Sequence, residues 1–214
     1  MNHSGHTNTS TLSDEEIVKR VAQGEKYLYE NLIRKYNLRL YRISMSIVND
    51  DAEVEDIMQT TYLNAYLQLA NFQNKSSFNT WLTRILINES LLHKKKSMKR
   101  NQLAIQSEKD DMHTDTPLKN LMNKELKVIL EKAVSNLPEK YRVVFVMREI
   151  EEMSTHETME VLDLGESNVK IRLTRAKEML RNELSDYYKT AQLFEFNLLR
   201  CDKVANFVMS KINT

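Results

Sequence analysis

The sequence predicts an all-α protein: two small helical domains joined by a flexible linker, the second containing a helix-turn-helix. Three observations carry that reading. Only three glycines and two prolines are spread over 214 residues while 29% are charged, a composition rich in helix formers and poor in turn residues. Apolar residues recur at three- and four-residue spacing in the segments on either side of residue 110. Between them, Asn101 to Thr116 loses that period and carries Glu108, Lys109, Asp110 and Asp111, before Pro117 restarts order. The expected divisions are a polar tail over 1–11, a first domain over 12–100, a linker over 101–117, a second domain over 118–184 and an extension over 185–214.

In the first domain, Ser13 and Glu16 stand in capping-box spacing and open a helix through Ile17, Val18 and Val21. A longer helical pattern from Tyr27 to Val48 places Leu32, Tyr36, Leu40, Ile43 and Ile47 in phase. Asn49-Asp50-Asp51 interrupts it, and Asp50 with Glu53 starts the next helix, whose apolar series is Val54, Ile57, Met58, Thr61, Tyr62, Ala65 and Leu69. The face opposite carries Asp56, Gln59, Thr60 and Leu63, the pattern of a surface offered to a protein partner, although a single exposed Leu is common. A polar loop, Asn71 to Ser77, holds one aromatic, Phe72. Ser77 caps a helix that packs Phe78, Leu82, Ile85 and Trp81 and lines Thr80, Arg84, Asn88 and Lys95 along another stripe, running into Lys94, Lys95 and Lys96. Aromatic rings beside amides, hydroxyls and cations suit unpaired bases, which need faces to stack on and charge for their phosphates. Taken alone, Phe78 and Trp81 read as core.

After a lead helix from Leu118 to Val134, the second domain begins a new helix at about Pro138, where a residue without an N–H costs nothing. Val143, Val144, Met147 and Ile150 form its apolar face. Ser154 and Glu157 make a capping box for a short helix to Leu162, Asp163 or Gly165 supplies a positive-φ break, and Ser167 caps the last helix. That helix turns Val169, Leu173, Ala176 and Leu180 inward and leaves a basic stripe of Lys170, Thr174, Lys177 and Arg181 flanked by Asn168, Arg172 and Arg175. A short capped helix, a tight turn and a cationic helix, in that order, make a helix-turn-helix whose second helix enters the major groove of duplex DNA. A solvated basic face is the plain alternative.

Net charge is +1, but it is segregated: Asp50, Asp51, Glu53, Glu55 and Asp56 are acidic, and Lys94, Lys95, Lys96, Lys99 and Arg100 are basic. Local field, not the sum, governs phosphate contacts. The single Cys201 excludes an internal disulfide and a cysteine-built zinc site, which points to a reducing, cytoplasmic setting. No apolar run approaches a membrane span or a signal-peptide core, so no membrane insertion is expected. His3 and His6 lack further ligands, and neither a metal nor a cofactor is expected. Beyond Leu184, Tyr187-Tyr188, the alternating Leu193 to Phe196 and a helix capped by Asp202 through Val204, Phe207, Val208 and Ile212 form a tail that either packs on the second domain or recruits a regulator.

Three stretches together resemble the extracytoplasmic-function (ECF) sigma factors of bacterial RNA polymerase: Ala52 to Tyr62, Ser77 to Ile85, and Leu137 to Tyr141 with Val169 to Lys177. The resemblance covers most of residues 12–184 and implies a non-enzymatic initiation factor whose partners are core RNA polymerase and promoter DNA, with an anti-sigma factor as a further possibility. It implies that Asp56, Gln59, Thr60 and Leu63 dock on the polymerase clamp helices. It implies minus-10 contacts by Phe72, Asn74, Lys75, Ser76, Ser77, Trp81, Arg84, Asn88, Lys94 and Lys95, and minus-35 contacts by Ser167, Asn168, Lys170, Arg172, Thr174, Arg175 and Lys177. Three positions depart from the family pattern: Thr60 where Glu is frequent, Met159 where a small residue is usual, and Asp163 in place of a turn Gly.

Three other readings compete, one of them a purely scaffolding helical protein, which leaves the basic stripe unexplained. A stand-alone helix-turn-helix repressor or activator would not need the Trp81 loop and would normally dimerise. A metalloenzyme is suggested by His156-Glu157-Thr158-Met159-Glu160, which has the outline of a zinc-binding helix with Glu160 in place of its second histidine.

Overall fold

The computed structural model describes residues 12–103 and 121–190, with 203 and 209; the polar tail, most of the expected linker and the Leu193 to Ile212 pattern lie outside the described residues. Among the described residues every regular element is helical. α1 (Asp14–Ala22), α2 (Tyr29–Val48), α3 (Asp51–Gln68) and α4 (Phe78–Leu103) form the first half; α5 (Leu121–Asn136), α6 (Glu139–Phe145), α7 (Thr155–Leu162) and α8 (Glu166–Thr190) form the second. α4 therefore runs three residues past the expected edge of the first domain, and α8 carries Tyr187 and Tyr188 as a continuation of itself.

The helix ends follow the chemistry of their residues. The Glu16 N–H donates to Ser13 Oγ at 3.2 Å and the Glu53 N–H to Asp50 Oδ1 at 3.2 Å, each satisfying one orphan donor of a first turn. At α2 the chain leaves through Asn49 in the left-handed region (φ 57°), and at α7 through Asp163 (φ 52°); both side chains tolerate that conformation. Asp163, not Gly165, takes the positive φ at the break. Ser167 is not the cap of α8: that helix begins at Glu166, and the Val169 N–H donates to the Gly165 carbonyl at 3.2 Å, which leaves Ser167 in the first turn.

α1–α4 bury Leu32, Leu40, Ile43, Leu82 and Leu86 completely, each contributing about 1.5–3 kcal/mol relative to exposure. Ser44 on α2 and Ser90 on α4 are fully buried with their hydroxyls 3.1 Å apart. Tyr29 donates to the Tyr62 carbonyl at 2.8 Å, and Tyr62 donates to Ile33 O at 3.2 Å, so both buried phenols are satisfied.

α6 does not end as its apolar face of Val143, Val144, Met147 and Ile150 leads one to expect. It widens into a π-turn over Val146–Ile150, and this extra residue per turn swings Ile150 out to 44% exposure while Val143, Val144, Val146 and Met147 stay buried. Glu152 then adopts φ 54°, and the Met153 N–H returns to Met147 O at 2.9 Å.

The two halves share one core. Val143, Val144, Val146, Met147, Met153, Val161 and Val169 belong to the same apolar cluster as Leu40, Ile43, Leu86 and Ile87, because α6 packs on α2 and α7 packs on α4. The inward face of α4 consequently spans Thr83, Leu86, Ile87 and Ser90 as well as Phe78 and Leu82, wider than a helix covered on one side requires, and Ile85 is only half-buried. Arg142, 9% exposed, crosses the same boundary: its Nε donates to Ser46 O at 2.7 Å and its Nη1 to Ser135 O.

Removal of the α7 cap tests this account. Ser154→Ala is expected to cost about 1 kcal/mol and to lower Tm by roughly 2–4 °C in thermal unfolding followed by circular dichroism.

Candidate nucleic-acid interface

Three surfaces carry the residues singled out from the sequence. On α3, Asp56, Gln59, Thr60 and Leu63 are all exposed on the face away from Val54, Ile57 and Ala65. Gln59 is steadied by donating to Glu55 Oε1 at 3.3 Å. Leu67, one turn beyond Leu63, is 75% exposed against 65% for Leu63. Leu67 stands four residues after Leu63 in the sequence, a spacing that signals a shared face; two leucines in solvent on successive turns form an apolar strip that one alone does not.

The second surface surrounds the start of α4. Phe72, Phe78 and Trp81 pack as a ring cluster, with centroids 5.0 Å apart for Phe72–Trp81 and 5.7 Å for Phe78–Trp81. Phe78 is core at 1% exposure, whereas Phe72 and Trp81 are half-buried, each with part of its surface left in solvent. Ser77 Oγ accepts from the Thr80 N–H at 3.1 Å and so fixes the loop to the helix. Asn74 turns the loop at φ 52°; Asn74 and Lys75 are exposed and Ser76 is half-buried. Arg84, Asn88 and Lys95 project from the outer side of α4.

One member of the expected stripe, Thr80, and one of the lysine cluster it runs into, Lys94, face elsewhere. Thr80 is 1% exposed, and its hydroxyl lies 3.3 Å from Glu157 Oε1 of α7. Lys94 is paired with the Glu139 carboxylate and lies 3.4 Å from Ile47 O. Beside them a groove is lined by His93, Lys96, Lys99 and Arg100. A helix that is covered on two sides distributes consecutive lysines to different neighbours, which a count of charges does not reveal.

The third surface is the α7–α8 unit. Its capping box is complete: the Glu157 N–H donates to Ser154 Oγ at 3.1 Å, and the Ser154 N–H donates to Glu157 Oε2 at 2.7 Å. This use of Glu157 as a cap, with exposed His156 beside it, removes the support for the zinc-helix reading. Met159 is half-buried against the main core, and its carbonyl accepts the Leu164 N–H at 3.1 Å, so the larger side chain is accommodated inward. Along α8, Ser167, Asn168, Lys170, Thr174, Arg175 and Lys177 are exposed and Arg172 is half-buried. Lys170 pairs with Glu166 at 2.6 Å and Lys177 with Glu149 at 2.8 Å; ion pairs this exposed are weak and exchange readily for phosphates. Arg175 Nη1 lies 3.3 Å from the Tyr141 hydroxyl, which draws the phenol below its ordinary pKa. Ile171, 52% exposed, lies opposite the Val169 and Ala176 core line, in the middle of this polar face. A count of cations along the helix does not reveal it.

A half-buried aromatic loop, a cationic groove and a helix-turn-helix, on a chain whose described regular elements are all helical, mark a DNA-binding protein. Residues 32–100 match the family profile of Sigma-70 region 2, and residues 127–180 match that of Sigma-70, region 4. The chain is 29% identical over 182 residues to the ECF RNA polymerase sigma-E factor of Haemophilus influenzae, covering 81% of this chain and 96% of that one. It is 28% identical over 178 residues to the ECF RNA polymerase sigma factor SigW of Bacillus subtilis, covering 79% and 95%. In fold it is similar to CnrH, solved in complex with the cytosolic domain of CnrY (TM-score 0.57, 22% identity, 79% and 96% coverage). The sigma factor RpoE of Bartonella quintana, solved with the anti-sigma factor NepR, is similar to the same degree (TM-score 0.57, 18% identity, 73% and 96% coverage). The chain belongs to the sigma-70 family, in its extracytoplasmic-function group, and acts in transcription initiation. The stand-alone repressor reading is not favoured. Among the described residues no helix is long and apolar enough to cross a membrane.

Burial alone would raise the Glu157 carboxyl, but hydrogen bonds from the Ser154 backbone and hydroxyl and from Thr80, with the charge of Arg39, outweigh it and hold the group below its usual value of 4.5. A depressed carboxylate stabilises the fold above its unfolded pKa and loses that contribution as pH falls through the lower folded value. Between pH 7 and pH 3, wild-type Tm should therefore fall more steeply than that of Glu157→Gln, whose Tm is already lower at pH 7.

Proposed function

We propose that the three surfaces divide the work of initiation. The α3 strip of Asp56, Gln59, Thr60 and Leu63, extended by Leu67, docks on core RNA polymerase. Phe72, Asn74, Lys75, Ser76, Ser77 and Trp81 hold an unpaired base of the minus-10 element between rings and hydrogen-bonding groups, while Arg84, Asn88, Lys94 and Lys95 track its backbone. Ser167, Asn168, Lys170, Arg172, Thr174, Arg175 and Lys177 read the minus-35 element in the major groove. The protein breaks no bonds itself: strand opening follows from binding the open strand more tightly than the duplex, as differential affinity requires. The domain edges suggested by the sequence, 12–100 and 118–184, are the units of this division. A partner of core polymerase works in the cytoplasm, and a similar sigma factor solved with the anti-sigma factor NepR supports regulation of this kind.

The observation that carries this reading is the exposure of the α8 face, which from Ser167 to Lys177 is polar and cationic except at Ile171. An aliphatic side chain can neither pair with phosphate nor hydrogen-bond a base edge; what it can meet in the major groove is the thymine methyl group. Replacing thymine by deoxyuridine at the facing position should weaken wild-type binding about fourfold, the equivalent of one buried methyl near 0.8 kcal/mol, and leave Ile171→Ala unaffected. Equal weakening of both proteins would remove Ile171 from base readout.

Run-off transcription with purified core polymerase tests the whole assignment: discrete transcripts should require this protein. Lys170→Ala and Arg172→Ala should each reduce transcription from promoters that depend on the minus-35 element while polymerase affinity stays within about twofold. Leu63→Asp with Leu67→Asp should abolish polymerase binding and leave duplex binding by α8 intact. If Lys170→Ala and Arg172→Ala lost both activities equally, the division of labour would be wrong.

A further inference from the structure

Among the cations of the α8 face, Arg175 is held differently from its neighbours. Lys170 and Lys177 rest on the carboxylates of Glu166 and Glu149, contacts that duplex DNA has to displace. Arg175 instead donates from Nη1 to the Tyr141 hydroxyl of α6 at 3.3 Å. A neutral oxygen orients the guanidinium without cancelling its charge. The acceptor is itself immobile: Tyr141 is 7% exposed, and its ring packs with Ala133, Leu137, Ala176 and Leu180 in the small core where α5, α6 and α8 meet. Its backbone N–H, in the first turn of α6, donates to Pro138 O at 2.8 Å. Lys140 Nζ lies 4.9 Å from the centre of the same ring. Arg175 first, and Lys140 after it, draw the phenol below its ordinary pKa against the effect of burial, as an oxygen turned toward two cations requires.

We propose that Tyr141 is a positioning residue for base recognition: its hydroxyl aims the Arg175 guanidinium at a guanine edge of the minus-35 element. The inference rests on the function proposed above, which places α8 in the major groove. A guanidinium carries its N–H donors in a rigid planar fork, so the one given to Tyr141 leaves a free edge for the guanine acceptors O6 and N7. A phosphate asks mainly for charge and accepts it from many directions, whereas a base edge accepts a fork only in its own plane. Holding a flexible side chain in one orientation before the DNA arrives removes part of the ordering cost of that contact. Arg175 stands four residues after Ile171, and both are exposed, so the two face the same stretch of groove. A lysine held by a carboxylate gives up its partner before it binds. Arg175 keeps the Tyr141 bond and binds with it in place.

Equilibrium binding of the holoenzyme, the full chain with core polymerase, to a promoter it transcribes tests this, with each minus-35 base pair replaced in turn. Replacing the guanine read by Arg175 should weaken wild-type binding about tenfold, the ordinary worth of one bidentate pair, and leave Arg175→Ala unaffected. Tyr141→Phe keeps the buried ring and removes only the hydroxyl. It should bind the intact promoter about fivefold more weakly than wild type, keep about twofold discrimination at that one position, and bind the substituted promoter as wild type does. Added to Arg175→Ala, Tyr141→Phe should change nothing, because a positioning residue acts only through the residue it positions. A purely structural role gives the opposite pattern: equal weakening on every promoter, persisting in the Arg175→Ala background and accompanied by a lower Tm. That pattern overturns the assignment, as does a Tyr141→Phe protein with wild-type discrimination. Uniform weakening with the salt slope reduced by about one overturns it too, and makes the pair a phosphate contact. Full discrimination at every position by Arg175→Ala sinks the functional reading of Arg175 itself, and leaves Tyr141 nothing to aim.

Discussion

Arg142 fixes how this protein is assembled. The last turn of any α-helix leaves carbonyls without partners, and a nearby cation is the usual remedy. α2 has no basic residue in its own last turn. The need is met from the other half of the chain: Arg142 on α6 donates to Ser46 O, with Lys94 of α4 beside Ile47 O. The same guanidinium reaches Ser135 O near the end of α5, so one buried side chain ties α2, α5 and α6 together. Burial lowers its pKa, with the neighbouring Glu139 charge opposing, and a guanidinium, the most basic of the side chains, keeps its charge in this setting.

With α6 anchored there, the path of the following chain is constrained. The π-turn at Val146–Ile150 and the left-handed Glu152 rotate the chain so that Glu151 points back at α2, where Arg39 and Arg42 meet it. A carboxylate this buried would be costly without such partners. α7 then descends onto α4, and its capping box doubles as a contact, because Glu157 serves Ser154 and Thr80 at once. Local helix capping and the association of the two halves are thereby coupled through one carboxylate.

α4 is where the structure's demands conflict. One side belongs to the core of the first domain, one side is covered by α7, and the remaining side presents Arg84, Asn88 and Lys95 beside the half-buried Trp81. A helix covered on two sides has little freedom to vary on either of them. The α8 face has no such conflict. Its ion pairs, Lys170–Glu166 and Lys177–Glu149, lie within the second domain and at the surface, so duplex DNA can displace them at small cost.

What could be read from residues alone was whatever depends on neighbours in the chain. The caps at Ser13, Asp50, Ser77 and Ser154, the break at Asn49, the inward faces of α2 and α3 and the polar face of α8 all follow from side-chain chemistry within one or two turns, and the sequence sufficed for them. The outward face of α3 followed too, short of Leu67. The family resemblance was legible for the same reason, being carried by contiguous stretches that the profiles of regions 2 and 4 also cover. Only the tertiary structure decided which lysine of the α4 cluster meets Glu139, why Thr80 is buried, where Ile150 goes after the π-turn, and that the two halves share a core. Each of these depends on a partner tens of residues away, and helical periodicity says which way a side chain points from its own axis but nothing about what waits there.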